Sequence, residues 1–290
     1  MASVPYDQLD GEIWMNGEFV PWADAKVHVL THALHYGSAV FEGERAYNGK
    51  IFKLTEHTKR LHESAELLGY KIPWDVETID KACIELLERQ GLKDAYARPI
   101  AWRGSEMMGI SAQQNTINLA IAIWEWPSYF DPEARMRGIR LEMAEYRRPD
   151  PATAPSRSKA AGLYMICTIS KHAAESKGYD DALMLDWKGR VAEATGANVF
   201  FVQNGKLHTP KTDCLLDGIT RRTVIDLAKA NEIEVVERDI MPHEMEGFEQ
   251  CFVTGTAAEV TPVAEIGDYN FVVGDETKML MNAYTALVNS

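Results

Sequence analysis

Three Asn-Gly pairs, at 16–17, 48–49 and 204–205, do most to limit the folds open to this chain. Each lies beside short apolar runs, and Asn-Gly supplies the positive-φ turn that joins two antiparallel strands. Ile13-Trp14-Met15 and Glu18-Phe19-Val20 flank the first pair, a strand over 198–202 runs into the third, and another over 182–187 turns at Lys188-Gly189. Helical periodicity is interleaved with these hairpins. Over 55–68 it sets Leu61, Ala65 and Leu68 on one face, and over 76–90 it turns Ile79, Cys83, Leu86 and Leu87 inward. Further helices are expected over 32–41, from the segment around Lys159 to residue 177, over 219–231 and over 276–288. Further strands are expected over 26–30, 95–102, 117–125, 139–146, 233–238 and 250–254. Hairpins and helices mixed without strict β-α-β alternation predict an α+β protein.

At 290 residues the chain can bury two cores. The pattern predicts a small N-terminal α+β domain over 1–126 and a larger C-terminal α+β domain over 138–290 that carries Lys159. Between them, 127–137 holds Pro127, Pro132 and mixed charge without a period, the character of a linker. A net charge of -13 argues against nucleic acid or an anionic membrane as partner. The longest apolar run, 119–124, is too short to span a bilayer. Cys83, Cys167, Cys214 and Cys251 form no C-x-x-C pair and read as reduced thiols. Residues 1–11 lack the apolar core of a signal peptide, so a cytoplasmic location is expected.

Several segments could carry chemistry. His28, His32 and His35 have a spacing that suggests a metal cluster, but the span crosses an expected strand-to-helix boundary. Only Glu42 and Glu44 stand near as further ligands, so structural histidines and no metal are expected. No G-x-G-x-x-G or Walker pattern is present. Asp217-Gly218-Ile219-Thr220 precedes a helix whose free N–H groups favour an anion, and Gly255-Thr256-Ala257-Ala258 is a second small-residue turn. Lys159 stands in Ser156-Arg157-Ser158-Lys159-Ala160-Ala161-Gly162-Leu163-Tyr164, where local sequence alone reads as a solvated lysine before a helix. Denied water, the same side chain would have a lowered pKa and serve as a nucleophile. Glu193, in Glu193-Ala194-Thr195-Gly196-Ala197-Asn198, reads as an acid in a loop between two strands. It is either a surface group or a carboxylate held against something that must stay protonated.

The order and spacing of a longer set of segments resemble a known family over almost the whole chain. They are Val27-His28-Val29, His32-Ala33-Leu34-His35-Tyr36-Gly37, Val40-Phe41-Glu42-Gly43, Arg60-Leu61-His62 with Ser64-Ala65, and Tyr96-Ala97-Arg98-Pro99. Lys159 with Tyr164, 193–198, Gly218-Ile219-Thr220-Arg221 and 255–262 complete the set. Together they resemble the branched-chain amino-acid aminotransferases among the fold-type IV pyridoxal-5′-phosphate enzymes. The resemblance implies the two-domain architecture of D-amino-acid aminotransferase-like proteins and pyridoxal 5′-phosphate as cofactor. By that resemblance Lys159 bonds to the cofactor aldehyde and, once released, moves the proton from the substrate Cα. Glu193 would keep the pyridine nitrogen protonated and Tyr164 would hydrogen-bond the ring's phenolic oxygen. Arg60, the N–H groups of Ile219 and Thr220, and Thr256 would grip the phosphate.

For the substrate, the resemblance assigns the α-carboxylate to the Tyr96 hydroxyl and the Thr256–Ala257 turn. Arg98 would hold the distal carboxylate of glutamate or 2-oxoglutarate. Phe41, Met108, Trp126, Tyr129, Tyr164 and a Tyr36 lent by a second subunit would line an aliphatic pocket, which implies a homodimer or larger. The implied reaction moves the amino group of L-leucine, L-isoleucine or L-valine to 2-oxoglutarate, and back, by a ping-pong mechanism through Lys159. A D-amino-acid or (R)-amine transaminase and an aminodeoxychorismate lyase share the fold; retention of Arg98 after Tyr96 argues against the first two. Arg157 and Leu163 depart from the residues usual beside the lysine, and Arg103 and Glu106 add charge near Met108.

Overall fold

A computed structural model of the chain describes residues 4–126 and 136–290. Contacts divide it into two compact units, Met1–Ser128 with Ser158–Gly162, and Tyr129–Arg157 with Leu163–Ser290. Of the expected linker at 127–137, only Met136 and Arg137 are among the described residues.

The first unit is built on antiparallel hairpins. Asn16 and Gly17, both at positive φ, turn β1 (Glu12–Met15) into β2 (Glu18–Pro21). The strand expected over 26–30 does not form. Val27 and Val29 stay exposed, and the Leu30 N–H donates to His28 Nδ1 at 3.1 Å in a local turn. The helix expected over 32–41 is split, with α1 (His32–Tyr36) stopping at Gly37 and the chain going on as β3 (Ala39–Phe41). Gly37 has φ 65°, and a Cβ there would sit 3.0 Å from the Gly162 Cα. Left-handed backbone and close approach both call for glycine.

Asn48-Gly49 then joins β4 (Glu44–Tyr47) to β5 (Lys50–Ile51). Helices α2 (Leu54–Leu67) and α3 (Val76–Arg89) bury Leu61, Ala65, Ile79, Cys83, Leu86 and Leu87, as their periodicity predicts, whereas Leu68, expected on the same face as Leu61, caps α2 and is only half-buried. The long pair β6 (Ala95–Arg103) and β7 (Ile117–Glu125) forms the centre of the sheet. Among the described residues its order is β2-β1-β7-β6-β4-β5, with β3 also on β6.

The lysine segment joins this first unit rather than the C-terminal one expected to carry it. Val40 and Ala160 form an antiparallel bridge, and the Phe41 N–H donates to the Lys159 carbonyl at 3.2 Å. The Lys159 N–H donates to Ser64 Oγ on α2 at 3.0 Å, and Ser158 Oγ donates to the Ser64 carbonyl at 2.9 Å.

In the second unit, β8 (Ile139–Met143), α4 (Met165–Ser176) and β9 (Asp181–Leu185) make a parallel crossover. β10 (Val191–Ala194), β11 (Asn198–Gln203) and β12 (Lys206–Pro210) follow, the last two turning at Asn204 and Gly205. After α5 (Ile219–Ala230) come β13 (Val235–Arg238), β14 (Gln250–Gly255), β15 (Glu259–Ile266), β16 (Tyr269–Asn270) and α6 (Asp275–Val288). The described sheet runs β10-β9-β8-β15-β14-β11-β12-β13, with β16 on β15. Because β10 also pairs with β11, the strands from β10 round to β11 close into a ring. Leu141, Leu183, Val199, Phe201, Val253 and Val263 fill its core. Strand β15 was not anticipated, since Pro262 sits within it and proline weakens a strand assignment. The architecture is α+β, as the mixture of hairpins and helices predicts.

Glu44 on β4 is fully buried, and neither carboxyl oxygen has a hydrogen-bond partner among the described residues. Burial, aided by the charges of Glu42 and Asp80, holds its carboxyl well above the ordinary value of 4.5. The native state therefore keeps a proton that the unfolded chain gives up. Its contribution to stability is complete below that ordinary value and is lost as pH rises toward the native pKa. Glu44→Gln should stabilise the protein relative to the unaltered chain by an amount growing about 1.4 kcal/mol per pH unit across that window. Urea unfolding at a series of pH values checks this, and a difference that does not widen with pH contradicts it.

Candidate active site

Two sets of polar residues stand out, one in each unit. In the first, the amine of Lys159 lies 4.9 Å from the centre of the Phe41 ring, and the Arg98 guanidinium lies 4.7 Å from the same centre. The ring's negative face suits both cations. Arg98 and Tyr96, two apart on β6, point to the same face of the sheet. Arg98 Nη2 donates to the Tyr96 hydroxyl at 3.3 Å, and the Tyr96 ring packs 5.1 Å from Trp126. A Cβ on Gly43 would fall 2.0 Å from the Tyr96 hydroxyl oxygen, so a glycine is required for that hydroxyl to sit where it does.

Lys159, Phe41, Arg98, Tyr96 and Trp126 thus form one run of contacts. Tyr36 and Met108 form a separate pair. The Tyr36 hydroxyl donates to the Met108 carbonyl at 3.3 Å, its ring stacks on His32 at 4.6 Å, and 48% of its surface is exposed. Tyr129 lies outside the described residues. The three histidines face protein atoms. His32 meets Ser38 Oγ (2.7 Å) and the Gly109 carbonyl (3.1 Å), and His35 meets the Val29 carbonyl at 3.0 Å. Among the described residues no group of three His, Cys, Asp or Glu could hold a metal ion, and no helix is long and apolar enough to cross a membrane.

Arg60, on α2, places Nε 2.7 Å and Nη2 2.8 Å from the two carboxylate oxygens of buried Glu42. His57 Nδ1 lies 2.7 Å from the same carboxylate. Burial pushes the Glu42 carboxyl up, but Arg60 and His57 outweigh it and hold it well below the usual range. Burial pushes the His57 imidazole down more strongly than Glu42 raises it. An ionised carboxylate only accepts hydrogen bonds, so His57 Nδ1–H donates to Glu42.

In the second unit, Glu193 lies in strand β10 and not in a loop, between buried Ala192 and Ala194 and opposite Asn198 on β11. Alternating small residues hid that strand from periodicity. Glu193 Oε1 is 3.1 Å from Arg148 Nε, and Oε2 accepts from Asn198 Nδ2 at 3.3 Å. Burial works against the charge of Arg148, but Glu193 together with Cys167, Tyr164 and Cys214 outweighs it and raises the guanidinium pKa. Arg148 Nη1 also lies 3.8 Å from Cys167 Sγ, whose thiol burial pushes up to about 11, so that neighbour stays neutral.

Asn198 Nδ2 donates as well to the Leu216 carbonyl at 3.0 Å. A Cβ on Gly218 would come 2.2 Å from Asn198 Oδ1, so any larger residue there would displace the Asn198 amide. Gly218 caps α5 in an extended conformation without a side-chain cap, and the buried Ile219 and Thr220 open the helix. Thr256 and Ala257 occupy the turn from β14 to β15, where Gly255 passes close to the Gly196 carbonyl. Tyr164 ends the 3-10 turn Ala161–Tyr164 at the head of α4, within electrostatic reach of Arg148.

Residues 39–266 match the family described as amino-transferase class IV. The chain is 45% identical over 92% of its length to a probable branched-chain-amino-acid aminotransferase of Rickettsia felis, covering 90% of that protein. A solved structure of a branched-chain amino acid aminotransferase from T.th. with pyridoxamine 5′-phosphate superimposes with a TM-score of 0.94 at 38% identity, covering 97% of this chain and 95% of that one. The same T.th. enzyme complexed with N-(5′-phosphopyridoxyl)-L-glutamate gives a TM-score of 0.92 at 38% identity and the same coverage. The chain belongs to the class IV aminotransferases.

Enzymes of this family use pyridoxal 5′-phosphate, and the chemistry of the donor set fits that group. An amine, a guanidinium held on an ionised acid, and a buried carboxylate paired with Arg148 and Asn198 suit an aldehyde, a phosphate and a protonated pyridine. The N-terminus of α5, without a side-chain cap, leaves N–H groups and a dipole for an anion. Sequence reading missed Arg148, Asn198, Glu42 and His57 as members of these clusters. Glu42 and Glu44 flanking a glycine after apolar Ala39-Val40-Phe41 were the available signal, since acids continuing such a run are seldom buried unless paired.

Proposed function

We propose that this aminotransferase moves the amino group of L-leucine, L-isoleucine or L-valine to 2-oxoglutarate, and catalyses the reverse, by a ping-pong mechanism through Lys159. The observation that carries the reading is the Phe41 ring, which brings the Lys159 amine and the Arg98 guanidinium within 5 Å of one aromatic surface. An amine, a cation and an apolar wall so close together suit both an aliphatic side chain and the distal carboxylate of glutamate. The names of the relatives favour the same substrates, and the glutamate adduct bound by the T.th. enzyme supports glutamate as the second amino acid.

Bound pyridoxal phosphate would supply an aldehyde that accepts the amino group and a ring that spreads the charge of the deprotonated Cα. Lys159 Nζ would hold it and would be the base for the proton on the substrate Cα. Glu193 would hold the pyridine nitrogen protonated, and Tyr164 would donate to the phenolic oxygen. Arg60, the N–H groups of Ile219 and Thr220, and Thr256 would hold the phosphate. The Tyr96 hydroxyl and the N–H groups of the Thr256–Ala257 turn hold the α-carboxylate. Arg98 would take the distal carboxylate, and Phe41, Met108, Trp126, Tyr164 and a Tyr36 lent by a second subunit would exclude water from the aliphatic chain. Such walls separate substrates by only about 1–3 kcal/mol per methylene, so near neighbours of leucine should also react.

A homodimer or larger assembly is part of this proposal. Val29, Leu34, Tyr36 and Ile110 expose 70%, 63%, 48% and 88% of their surfaces within one stretch of sequence and its neighbouring loop, an apolar array suited to a second copy. A cytoplasmic location is also proposed, supported by four free, buried cysteines, and cell fractionation tests it.

The substrate reading is checked by single-turnover half-reactions followed through the cofactor's absorbance, over L-leucine, L-isoleucine, L-valine, L-glutamate, D-amino acids and simple amines. The L-aliphatic acids and L-glutamate should react, and faster turnover of D-amino acids or of amines would overturn the assignment. Arg98→Leu should slow the half-reaction with L-glutamate on the order of a hundredfold, the loss of one charge-assisted pair, and spare L-leucine. Equal losses with both would remove Arg98 from the distal carboxylate. In sedimentation the active species should be a dimer or larger, and a fully active monomer would contradict the assembly.

A further inference from the structure

Glu42 is a fully buried carboxylate to which the proposed chemistry gives no task. Its Oε1 accepts from Arg60 Nε at 2.7 Å, and its Oε2 accepts from Arg60 Nη2 (2.8 Å), His57 Nδ1 (2.7 Å) and Gly43 N (3.3 Å). A buried charge is tolerated when it is paired and its lone pairs are filled, and both conditions hold here. His57 and Arg60 stand three apart on α2, so one face of the helix meets one carboxylate from two directions. The group sets one carboxylate against one guanidinium, with an imidazole beside them.

The negative charge of Glu42 limits what it can do for an anionic ligand. It adds no attraction for an anion, and its charge opposes one. The side-on fork on Nε and Nη2 instead fixes the plane and direction of the guanidinium, which on its own flexible stem would sample many rotamers. His57 braces the carboxylate and Gly43 N–H ties it to its own backbone, so the fork cannot swing.

We propose that Glu42 is a positioning residue for the cofactor, holding Arg60 in the orientation that receives the phosphate, with His57 as its brace. The inference rests on the reading of Arg60 as a phosphate ligand. It requires that Glu42 matter to the phosphate and not to the ring or the aldehyde.

The test compares the affinity of the full-length apoprotein for pyridoxal 5′-phosphate with that for pyridoxal, which has no phosphate, by absorbance titration. Glu42→Asp keeps the charge and withdraws the carboxylate by one methylene. It should weaken pyridoxal phosphate binding about tenfold, the loss of one preorganised contact, and leave pyridoxal unchanged. Arg60→Ala should narrow the difference between the two ligands further. If Arg60→Ala leaves that difference intact, the phosphate reading itself fails and the inference with it. If Arg60→Ala narrows it while Glu42→Asp does not, Glu42 is no positioner and only the inference falls. Tighter binding of pyridoxal phosphate by Glu42→Gln also overturns it, because Glu42 would then act as an opposing charge. Should circular dichroism show that the Glu42 variants do not fold, His57→Gln decides. A loss confined to pyridoxal phosphate supports the bracing role, and an unchanged difference overturns it.

Discussion

Two backbone hydrogen bonds carry the candidate site, from the Phe41 N–H to the Lys159 carbonyl and from the Lys159 N–H to Ser64 Oγ. A lysine side chain is long and mobile, so its amine is useful only if the backbone beneath it is fixed. Here the segment is stitched to β3 on one side and to α2 on the other. That stitching needs a close crossing of Gly37 and Gly162, where a Cβ on Gly37 would lie 3.0 Å from the facing Cα. The same strand β3 ends in Phe41, whose ring meets the lysine amine and Arg98. Position of the amine, choice of aromatic wall and reach of the guanidinium thus follow from one short strand.

Charge is managed locally in a chain of net charge -13. Arg60 is matched by Glu42 and Arg148 by Glu193, whereas Arg98 leans on the rings of Phe41 and Tyr96. Buried ion pairs add little net stability, because desolvation offsets their attraction. Their value lies in direction. The fork on Arg60 and the paired oxygens of Glu193 each fix which way a polar atom points, and such preorganisation is what electrostatic catalysis requires.

Much of this was legible in the sequence, for reasons that differ by residue. The hairpins at Asn16-Gly17, Asn48-Gly49 and Asn204-Gly205 were readable because only a few residues tolerate their turn geometry. Helix α3 was readable because its buried face is apolar, and α2 because Leu61 and Ala65 recur at helical spacing, though His57, Thr58 and Ser64 share its buried face. Family resemblance brought Lys159, Glu193 and Arg98 to notice, where local chemistry alone left each of them ambiguous. Other features depended on distant partners and left no local trace. The helix expected over 32–41 breaks at Gly37 because Gly162 must pass there, and Glu193 looked like a loop acid because its strand alternates small residues. Strand β15 was hidden by Pro262, which is accommodated opposite Phe252. Arg148 and Glu42 were missed because their importance lies in the buried groups they touch, 45 and 18 residues away in sequence.

The most direct test of the account is the position of the covalent link to the cofactor. Holoenzyme reduced with borohydride should, on proteolysis and mass mapping, carry the phosphopyridoxyl group on the peptide containing Lys159 and on no other. A label on a different lysine, or no reducible label at all, would contradict it.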